Sequence, residues 1–515
     1  MISLHFGRRM QNVYDQSQQR AGENMTVPNT AASTAARRGA NEVPGCHGGL
    51  ENLDEEHAYW LDDIDGEVPR DLTGTFYRNG PGRQRIGQSQ YGHWFDGDGM
   101  LCAFSFLDGR VHFRNRYVRT PKYVEETAAQ RVLYRGFGTQ VPGGFWKNFL
   151  KMPANPANTS TVWHGGHLLA LNEGGKPWKL DPADLSTIGE YTYDGGLQRA
   201  DVFSAHGKVH AASGDYINFG AGIGGFGLSG PKPCLTIYRI RPDGRLAERK
   251  QVPIATFPFC HDFALTDRYA LFFIGSIVFG NMVPVIFGTR SISDQITFDP
   301  SIPMKVLVVD LKTLELVKTF ETSPGAMIHF GNSWEEGDEI VIDGMFTDNF
   351  EANQTLIDVF NPSGKFGGGS YMRYRLNRAT GALSAEKVTA TESEFPTFNS
   401  AWTGQRNEVT YTACSVKNGA DSFFNAIQRI TQGGDAQVLE LPKGLYGSEP
   451  LFAPRAGATE EGDGYVLEVV YDAWSHRSEL QIYRAATMAH EATLKLRHHI
   501  PHQFHGHFTP SVFMH

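Results

Sequence analysis

A repeated hairpin pattern is the feature of this chain that most strongly limits its fold. In each repeat, two runs of alternating apolar and polar residues flank a short polar turn, such as Asp108-Gly109 or Asp243-Gly244. Turns of this kind between period-two runs are typical of β-hairpins. The pattern occurs seven times, over residues 103–111, 168–190, 235–250, 306–320, 371–388, 427–441 and 480–494. It predicts an all-β protein, a closed seven-bladed β-propeller, with an irregular β-sandwich as the alternative.

The two ends of the chain differ in composition. Residues 1–45 are rich in Ser, Ala, Asn, Gln and Arg and contain few apolar residues, so this segment cannot build a core. We expect a disordered tail there. An organelle transit peptide is the alternative, whereas the apolar stretch of a secretory signal is missing. Residues 46–515 are predicted to form a single propeller domain, in which residues 124–135 and 145–151 are short helices.

Charge and hydropathy exclude some functions and favour one surface contact. A net charge of −9 argues against nucleic acid as a partner, and no apolar run approaches the roughly 20 residues of a membrane-spanning helix. The segment that holds Phe145, Trp146, Phe149 and Leu150 mixes these apolar side chains with lysines, as membrane-surface segments do. We therefore expect a cytoplasmic protein in peripheral contact with a membrane, although the same side chains can instead pack on the core.

Four histidines lie in the intervals between hairpins, where a propeller places the innermost strand of a blade. They are His206, His261, His329 and His505, and the last of them belongs to a dense cluster near the end of the chain. Because innermost strands face the central axis, these four side chains can converge on one metal ion. Four ligands on an octahedral metal leave two positions open, which suits Fe(II) with O2 and a substrate. Zinc is the chemical rival, and hydrogen-bonded core histidines are the alternative.

Three glutamates stand in similar strand-like surroundings, namely Glu173, Glu394 and Glu449. Carboxylates that accept the far N–H of ligating imidazoles fix the ring tautomer and offset the charge of the metal. These residues are therefore candidates for orienting the histidines. The remaining histidines near the C-terminus, His498, His499, His502 and His507, are expected in rim or packing positions.

Several ordered motifs together look like the carotenoid cleavage oxygenase family. These motifs are Phe76-Tyr77-Arg78-Asn79-Gly80-Pro81-Gly82, Phe95-Asp96-Gly97-Asp98-Gly99-Met100, Ser204-Ala205-His206, His261-Asp262-Phe263 and Phe504-His505-Gly506. The resemblance implies a seven-bladed propeller in which short helices and loops cap an axial Fe(II) held by the four histidines. It pairs Glu173, Glu394 and Glu449 with His261, His329 and His505 respectively. It also places Thr159 beside the iron, where it restricts one open coordination position.

The resemblance also implies a reaction and a kind of substrate. Members of the family use O2 to split a C=C bond of a conjugated chain into two carbonyl products. The segments 123–126, 134–136 and 495–501 look most like the cyanobacterial type of apocarotenoid oxygenase, which implies an apocarotenoid substrate and retinal or a related apocarotenal as product. In those enzymes an apolar patch at the position of residues 145–150 dips into the membrane.

The wall of the substrate tunnel is predicted to include Phe259, Phe395 and Trp163, and further candidates for it are Tyr117, Asn172 and Ile328. The resemblance also implies a stilbene-cleaving branch of the family, in which a Tyr and a Lys bind the phenol hydroxyl of the substrate. Tyr117 matches the Tyr, but Asn172 stands at the Lys position, which disfavours phenolic stilbenes. Asn172 also stands where the apocarotenoid branch typically has a Trp, and Ile328 stands where the family has an aromatic residue before the third histidine. Both departures from the family pattern bear on the identity of the substrate. The second hypothesis for the function is a metal-dependent isomerase or hydrolase, and the third is a carotenoid-binding propeller without activity.

Overall fold

The seven predicted hairpins form neighbouring strands in seven antiparallel sheets, which are the blades of a β-propeller. The computed structural model describes residues 43–227, 230–361, 368–416 and 423–514. From Gly45 onward the chain forms one compact unit. The predicted all-β propeller is thus confirmed. The predicted tail over residues 1–45 lies, apart from its last three residues, outside the described part.

Blades 2 to 6 are four-stranded and follow one another along the chain, and each runs from its inner to its outer strand in sequence order. Blade 2 consists of Ser160–His164, His167–Leu171, Trp178–Leu180 and Thr187–Glu190, and blade 3 of Lys208–Val209, Tyr216–Gly227, Gly230–Ile240 and Leu246–Pro253. Blade 4 consists of Ala264–Leu265, Tyr269–Ile274, Met304–Asp310 and Glu315–Thr322. Blade 5 consists of Ala326–Glu336, Glu339–Thr347, Ser370–Asn377 and Leu383–Lys387, and blade 6 of Ser393–Thr397, Val409–Cys414, Ala426–Thr431 and Ala436–Glu440.

Blades 1 and 7 combine strands from both ends of the unit and so close the ring. Blade 1 consists, from the inside, of His505–Thr509, Gly74–Arg83, Asp98–Leu107, Arg110–Tyr117 and Ala58–Trp60. Blade 7 consists of Leu445–Tyr446 and Leu451–Pro454 inside, then Gly464–Asp472, Arg477–Arg484, Ala489–Lys495 and finally Asp63–Gly66. The C-terminal strand thus lies at the inner edge of the first blade, and an N-terminal strand lies at the outer edge of the last.

The helices are short and differ in their limits from the prediction. The helix expected over residues 124–135 is Pro121–Ala129, because Thr120 caps it through the Tyr123 N–H and Pro121 suits the first turn. It ends where Gln130 takes a left-handed conformation with φ of 50°. The helix expected over 145–151 is the single turn Phe145–Asn148. The remaining short elements are the helices Val283–Ile286 and Glu351–Ile357, the 3-10 turns Cys46–Leu50, Trp94–Asp96, Ser293–Gln295 and Ser400–Trp402, and the strand pairs Arg85–Ile86 with Ser89–Gln90 and Ile277–Phe279 with Ile296–Phe298.

The apolar core lies between neighbouring blades. Between blades 3 and 4, for example, Phe263 stacks on Phe272 with ring centres 5.4 Å apart, and Phe219 meets both rings edge to face. Similar buried clusters separate the other blades. Since every blade is packed on both faces, the innermost strands are held at fixed positions around the axis.

Three histidines near the C-terminus hold the beginning of the described unit. His502 Nε2 lies 3.0 Å from the carbonyl of Cys46, and His499 Nε2 lies 3.2 Å from that of Glu51. His498 Nε2 contacts the Tyr59 hydroxyl at 3.1 Å. Burial lowers the pKa of each of these three imidazoles to about 4. They are packing residues, as expected, and they stay neutral at physiological pH.

We predict that the free energy of unfolding falls as the pH drops from about 6.5 towards 4. A histidine with a depressed pKa in the folded state stabilises the fold above its unfolded pKa, and that contribution is lost on acidification, at about 1.4 kcal/mol per pH unit for each group. Urea unfolding at pH 7 and pH 5 measures the effect. In the His502→Gln variant the pH dependence should be weaker, and an unchanged dependence would contradict the assignment.

Candidate metal centre

Four imidazoles meet on the propeller axis. The nearest ring nitrogens of His206, His261, His329 and His505 all lie within 4.8 Å of one another. His261 Nε2 is 3.0 Å from Nε2 of His206 and 3.1 Å from Nε2 of His329. The structure therefore brings together the four histidines singled out from the sequence, although they are spread over about 300 residues of the chain.

Each blade contributes one candidate side chain from its innermost strand or from the residues just before it. His329 and His505 lie within the inner strands of blades 5 and 1, whereas His206 and His261 immediately precede those of blades 3 and 4. The other three blades contribute candidate residues of different types. These are Thr159 in blade 2, Glu394 in blade 6 and Glu449 in blade 7.

Three carboxylates bind the outward-facing nitrogens of three of the imidazoles. Glu394 Oε2 lies 2.6 Å from His329 Nδ1, and Glu449 Oε1 lies 2.8 Å from His505 Nδ1. Glu173 contacts His261 Nδ1. With each Nδ1–H donated to a carboxylate, the Nε2 lone pairs are left to face the centre of the cluster. The pairing inferred from the family resemblance matches these contacts.

Burial and mutual repulsion set the charge of the cluster. Burial and the three neighbouring imidazoles hold the pKa of His206 well below its usual range, so its ring is neutral at physiological pH. Burial opposes the charge of Glu394 and Glu449, but the partner imidazoles outweigh it, and both pKa values are lowered. The carboxylates of Glu394 and Glu449 are therefore ionised, and they place negative charge behind His329 and His505. Burial likewise opposes the charge of His261, but Glu173 outweighs it, and the pKa of His261 is raised.

Arg78 is a functional residue that sequence reasoning left without a role. Its side chain is fully buried, and Nη1 donates to Glu449 Oε2 at 2.9 Å and to the Glu449 carbonyl at 3.2 Å. The Gly506 N–H donates to the same carboxylate oxygen at 2.7 Å. Arg78 thus fixes Glu449 so that its other oxygen faces His505. The signal that could have identified it is a charged residue in the middle of the strand Gly74–Arg83, all of whose residues are buried.

A second unexpected contact ties three histidine-bearing segments together. Asp262, the residue after His261, accepts the Phe330 N–H at 2.8 Å, and Phe330 follows His329. Lys208, two residues after His206, lies 3.1 Å from the same carboxylate. This partly buried carboxylate, with one ion pair and one backbone hydrogen bond, therefore links the inner strands of blades 3, 4 and 5.

The residues that come just before two of the histidines belong to an apolar cluster. Phe259 and Ile328, which precede two of the histidines, pack with Phe279 and Phe350, and the Phe259 and Phe350 rings are 5.1 Å apart. Phe395 lies at the edge of the site, with its ring centre 5.3 Å from that of His329 and 5.2 Å from that of His505. Its φ of 54° lies in a region that favours glycine, as is common for residues at functional sites.

Two of the predicted tunnel residues lie elsewhere. The Tyr117 ring stacks on Tyr123 in the core beside blade 1, and its hydroxyl donates to the Leu53 carbonyl at 2.8 Å. Three strand positions separate it from the strand of His505. Trp163 packs against Phe513, with ring centres 4.7 Å apart. The structure brings neither side chain to the four histidines, because both are held in the packing around blade 1.

A cavity of about 220 Å³ reaches His206, His329 and His505, and Phe395 also lines it. Its walls include residues that follow the site residues along the inner strands, such as Lys208 and Thr397. Many of the residues that line this cavity are therefore polar.

Comparison with known proteins identifies the family. A model of the family described as retinal pigment epithelial membrane protein matches residues 50–510. The chain belongs to the carotenoid cleavage oxygenase family. It is 34% identical over 478 residues to apocarotenoid-15,15'-oxygenase of Synechocystis sp., covering 89% of this chain and 94% of that protein. It is 30% identical to carotenoid 9,10(9',10')-cleavage dioxygenase 1 of Arabidopsis thaliana, covering 86% of each. The solved structure of cobalt-substituted apocarotenoid oxygenase from Synechocystis superposes with a TM-score of 0.82 at 33% identity, covering 90% of this chain and 98% of that one.

The donor set of this carotenoid cleavage oxygenase fits a divalent metal ion. Nitrogen lone pairs about 3 Å apart repel one another, and a cation among them removes that repulsion. The ionised carboxylates of Glu394 and Glu449 lie directly behind two of the imidazoles, and their negative charge favours a cation at the centre. Four nitrogen donors backed by ionised carboxylates are a donor set for a borderline metal ion such as iron.

We predict that Glu394→Gln weakens metal binding about 10- to 100-fold, because the neutral amide holds the His329 Nδ1–H less strongly. Titration of the metal-free protein with Fe(II) under anaerobic conditions measures the dissociation constant. Glu321→Gln, on the exposed outer strand of blade 4, is the matched control and should bind as the unaltered protein does. Equal affinity in both variants would contradict a role for Glu394.

Proposed function

We propose that this protein is a non-haem Fe(II) dioxygenase that uses O2 to cleave a C=C bond of an apocarotenoid into two carbonyl products. The observation that carries the proposal is the cluster of four imidazoles, three of which have their outward nitrogens held by carboxylates, next to an apolar region. His206, His261, His329 and His505 would hold the iron. Glu173, Glu394 and Glu449 would keep their rings in the ligating orientation.

The protein's own part in the reaction is to hold the iron, to orient the polyene and to shield the site from water. Bound iron supplies the redox chemistry by which O2 is activated towards an alkene. Phe259, Ile328 and Phe350 present an apolar surface along which a conjugated chain can lie without losing hydrogen bonds to water. Phe395 would limit how far the polyene extends past His329 and His505. Close positioning of the double bond converts a bimolecular encounter into an oriented one.

The proposed substrate is an apocarotenoid, with retinal or a related apocarotenal as product, and two contacts disfavour a phenolic stilbene. A phenol needs free polar partners, and the hydroxyl of Tyr117 already donates to the Leu53 carbonyl. Both N–H groups of Asn172 are engaged by Asn158 and Thr159. The polar groups expected to receive a phenol hydroxyl are therefore occupied within the protein, whereas an apolar chain makes no such demand.

We predict that the Fe(II)-loaded protein exposed to air converts β-apo-8'-carotenal to retinal and leaves 4-hydroxystilbene intact. Products are separated and identified by mass. His261→Ala should lose nearly all activity, because one of four ligands is gone. Aldehydes formed only from the stilbene would overturn the substrate class and keep the iron site.

Oxygen consumption separates the dioxygenase from the other functions. One O2 should disappear for each polyene cleaved. A product with the full carbon skeleton and no O2 uptake would indicate an isomerase or hydrolase. Bound but unchanged polyene in both the unaltered protein and His261→Ala would indicate a binding protein.

We also propose that the protein contacts a membrane surface through an exposed apolar patch formed by the segments 145–152 and 283–287. Trp146 and Leu150 are 80% and 64% exposed, and Ile286 and Phe287 on the neighbouring turn are about half exposed. The two segments are joined by the Leu150 N–H, which donates to the Ile286 carbonyl at 3.1 Å. Lys147 and Lys151 flank the patch and suit anionic headgroups. No helix in the described ranges is both long and apolar enough to span a bilayer.

We predict that the double variant Trp146→Ser/Leu150→Ser binds liposomes containing phosphatidylserine at least about tenfold more weakly, since two apolar anchors are lost. Sedimentation with vesicles measures the bound fraction. Trp474→Ser is the matched control, because Trp474 is 57% exposed but lies in blade 7, outside this patch. Cleavage of detergent-dispersed substrate should be unchanged in the double variant. Equal binding by all three proteins would exclude this patch.

A further inference from the structure

Three polar side chains form a closed network beside His505. The Thr159 carbonyl accepts the His505 N–H at 3.3 Å, so the threonine lies directly next to a histidine of the cluster. The Thr159 hydroxyl lies 3.2 Å from Asn158 Oδ1 and 3.0 Å from Asn172 Nδ2. Asn172 Nδ2 also lies 3.1 Å from Asn158 Oδ1. Asn158 is fully buried, and Thr159 is almost so.

Backbone groups fix the direction of every hydrogen bond in this network. Asn158 Nδ2 faces two carbonyls, those of Phe95 at 2.9 Å and Gly97 at 2.7 Å, so it must be the donor and Asn158 Oδ1 must be an acceptor. Asn172 Oδ1 accepts the Gly174 N–H at 2.8 Å, so its nitrogen faces Thr159. The Thr159 hydroxyl therefore accepts from Asn172 and donates to Asn158.

We propose that Asn172 is a positioning residue that locks the Thr159 side chain and thereby sets how O2 reaches the iron. The inference deepens the proposed function and rests on it. A hydroxyl with one donor and one acceptor already satisfied has a fixed rotamer, and the methyl group on the same carbon is fixed with it. Thr159 then limits access to one side of the site as a rigid side chain, with its hydroxyl proton committed to Asn158.

The position of Asn172 supports an indirect role. It precedes Glu173, which contacts His261, so one short segment reaches two sides of the histidine cluster. Because both of its N–H groups are used inside the protein, Asn172 has no donor left for a substrate. Its effect on the reaction should therefore pass through Thr159, with the polyene itself bound as before.

A double-mutant cycle tests this route, with Asn172→Ala, Thr159→Val and the combined variant. Valine keeps the shape of threonine but removes the hydroxyl, so Asn172 has nothing to hold in that background. Nitric oxide serves as the O2 surrogate on Fe(II)-loaded protein without substrate, and its electron paramagnetic resonance signal reports the environment of the metal. We expect one signal in the unaltered protein and more than one in Asn172→Ala, where Thr159 can rotate. The combined variant should match Thr159→Val.

Steady-state kinetics should distinguish an effect on the use of O2 from an effect on binding of the polyene. In Asn172→Ala, kcat/KM for O2 should fall several-fold while KM for the polyene stays unchanged. Asn407→Ala, which removes a buried asparagine from blade 6, is the control and should leave the nitric oxide signal unaltered. The inference would be overturned if Asn172→Ala lowered kcat/KM for O2 by the same factor in the unaltered protein and in the Thr159→Val variant. It would also be overturned if only KM for the polyene changed.

Urea unfolding of the metal-free proteins provides a test that does not depend on iron. If Asn172 holds Thr159, the losses of stability are not additive, and the combined variant is little less stable than Thr159→Val. Additive losses would overturn the inference even if the protein bound no iron. Absence of any nitric oxide signal from the unaltered protein, together with non-additive losses, would instead contradict the proposed function and retain the contact.

Discussion

The convergence of four imidazoles on one axis is the constraint on which the rest of this structure depends. Lone pairs of ring nitrogens about 3 Å apart repel one another, and a cation between them removes that repulsion. The rings also keep one orientation when their outer nitrogens are held, as those of His261, His329 and His505 are. The propeller meets this second requirement by giving neighbouring blades complementary tasks. Blades 1, 3, 4 and 5 bring histidines, and blades 6 and 7 bring glutamates.

Charged residues outside the four imidazoles help to hold these rings in place. Arg78 sits on the far side of Glu449 and holds it, and the Lys208–Asp262 pair sets the spacing between three of the histidine segments. Arg78 and Glu449 are both buried, where losing one partner would leave an uncompensated charge, and the Lys208–Asp262 pair is partly buried. The centre is therefore held by electrostatic contacts as well as by packing between blades. Phe259 and Ile328, close to two of the histidines in sequence, belong to an apolar cluster, which suits a hydrophobic substrate.

Much of the fold could be predicted from local sequence, because hairpins are local. The turns at Asp108-Gly109 and Asp243-Gly244 and the runs around them specify their strand pairs directly. The histidines could be found because their position between hairpins places them on inner strands. The partners of Arg78, Asp262 and Asn172 could not be found in this way, since they depend on contacts between blades. Motif position alone predicts Tyr117 and Trp163 in the tunnel, whereas their side chains pack elsewhere around blade 1.

The strand that closes the ring also carries the last histidine of the cluster. His505–Thr509 pairs with Gly74–Arg83, more than 400 residues earlier, and its first residue completes the set of four imidazoles. During synthesis the cluster can therefore assemble only after this strand has left the ribosome and docked on the first blade. A chain that stops before His505 lacks the closing strand and the fourth imidazole together. Occupancy of a four-histidine site would therefore report that the ring of blades has closed.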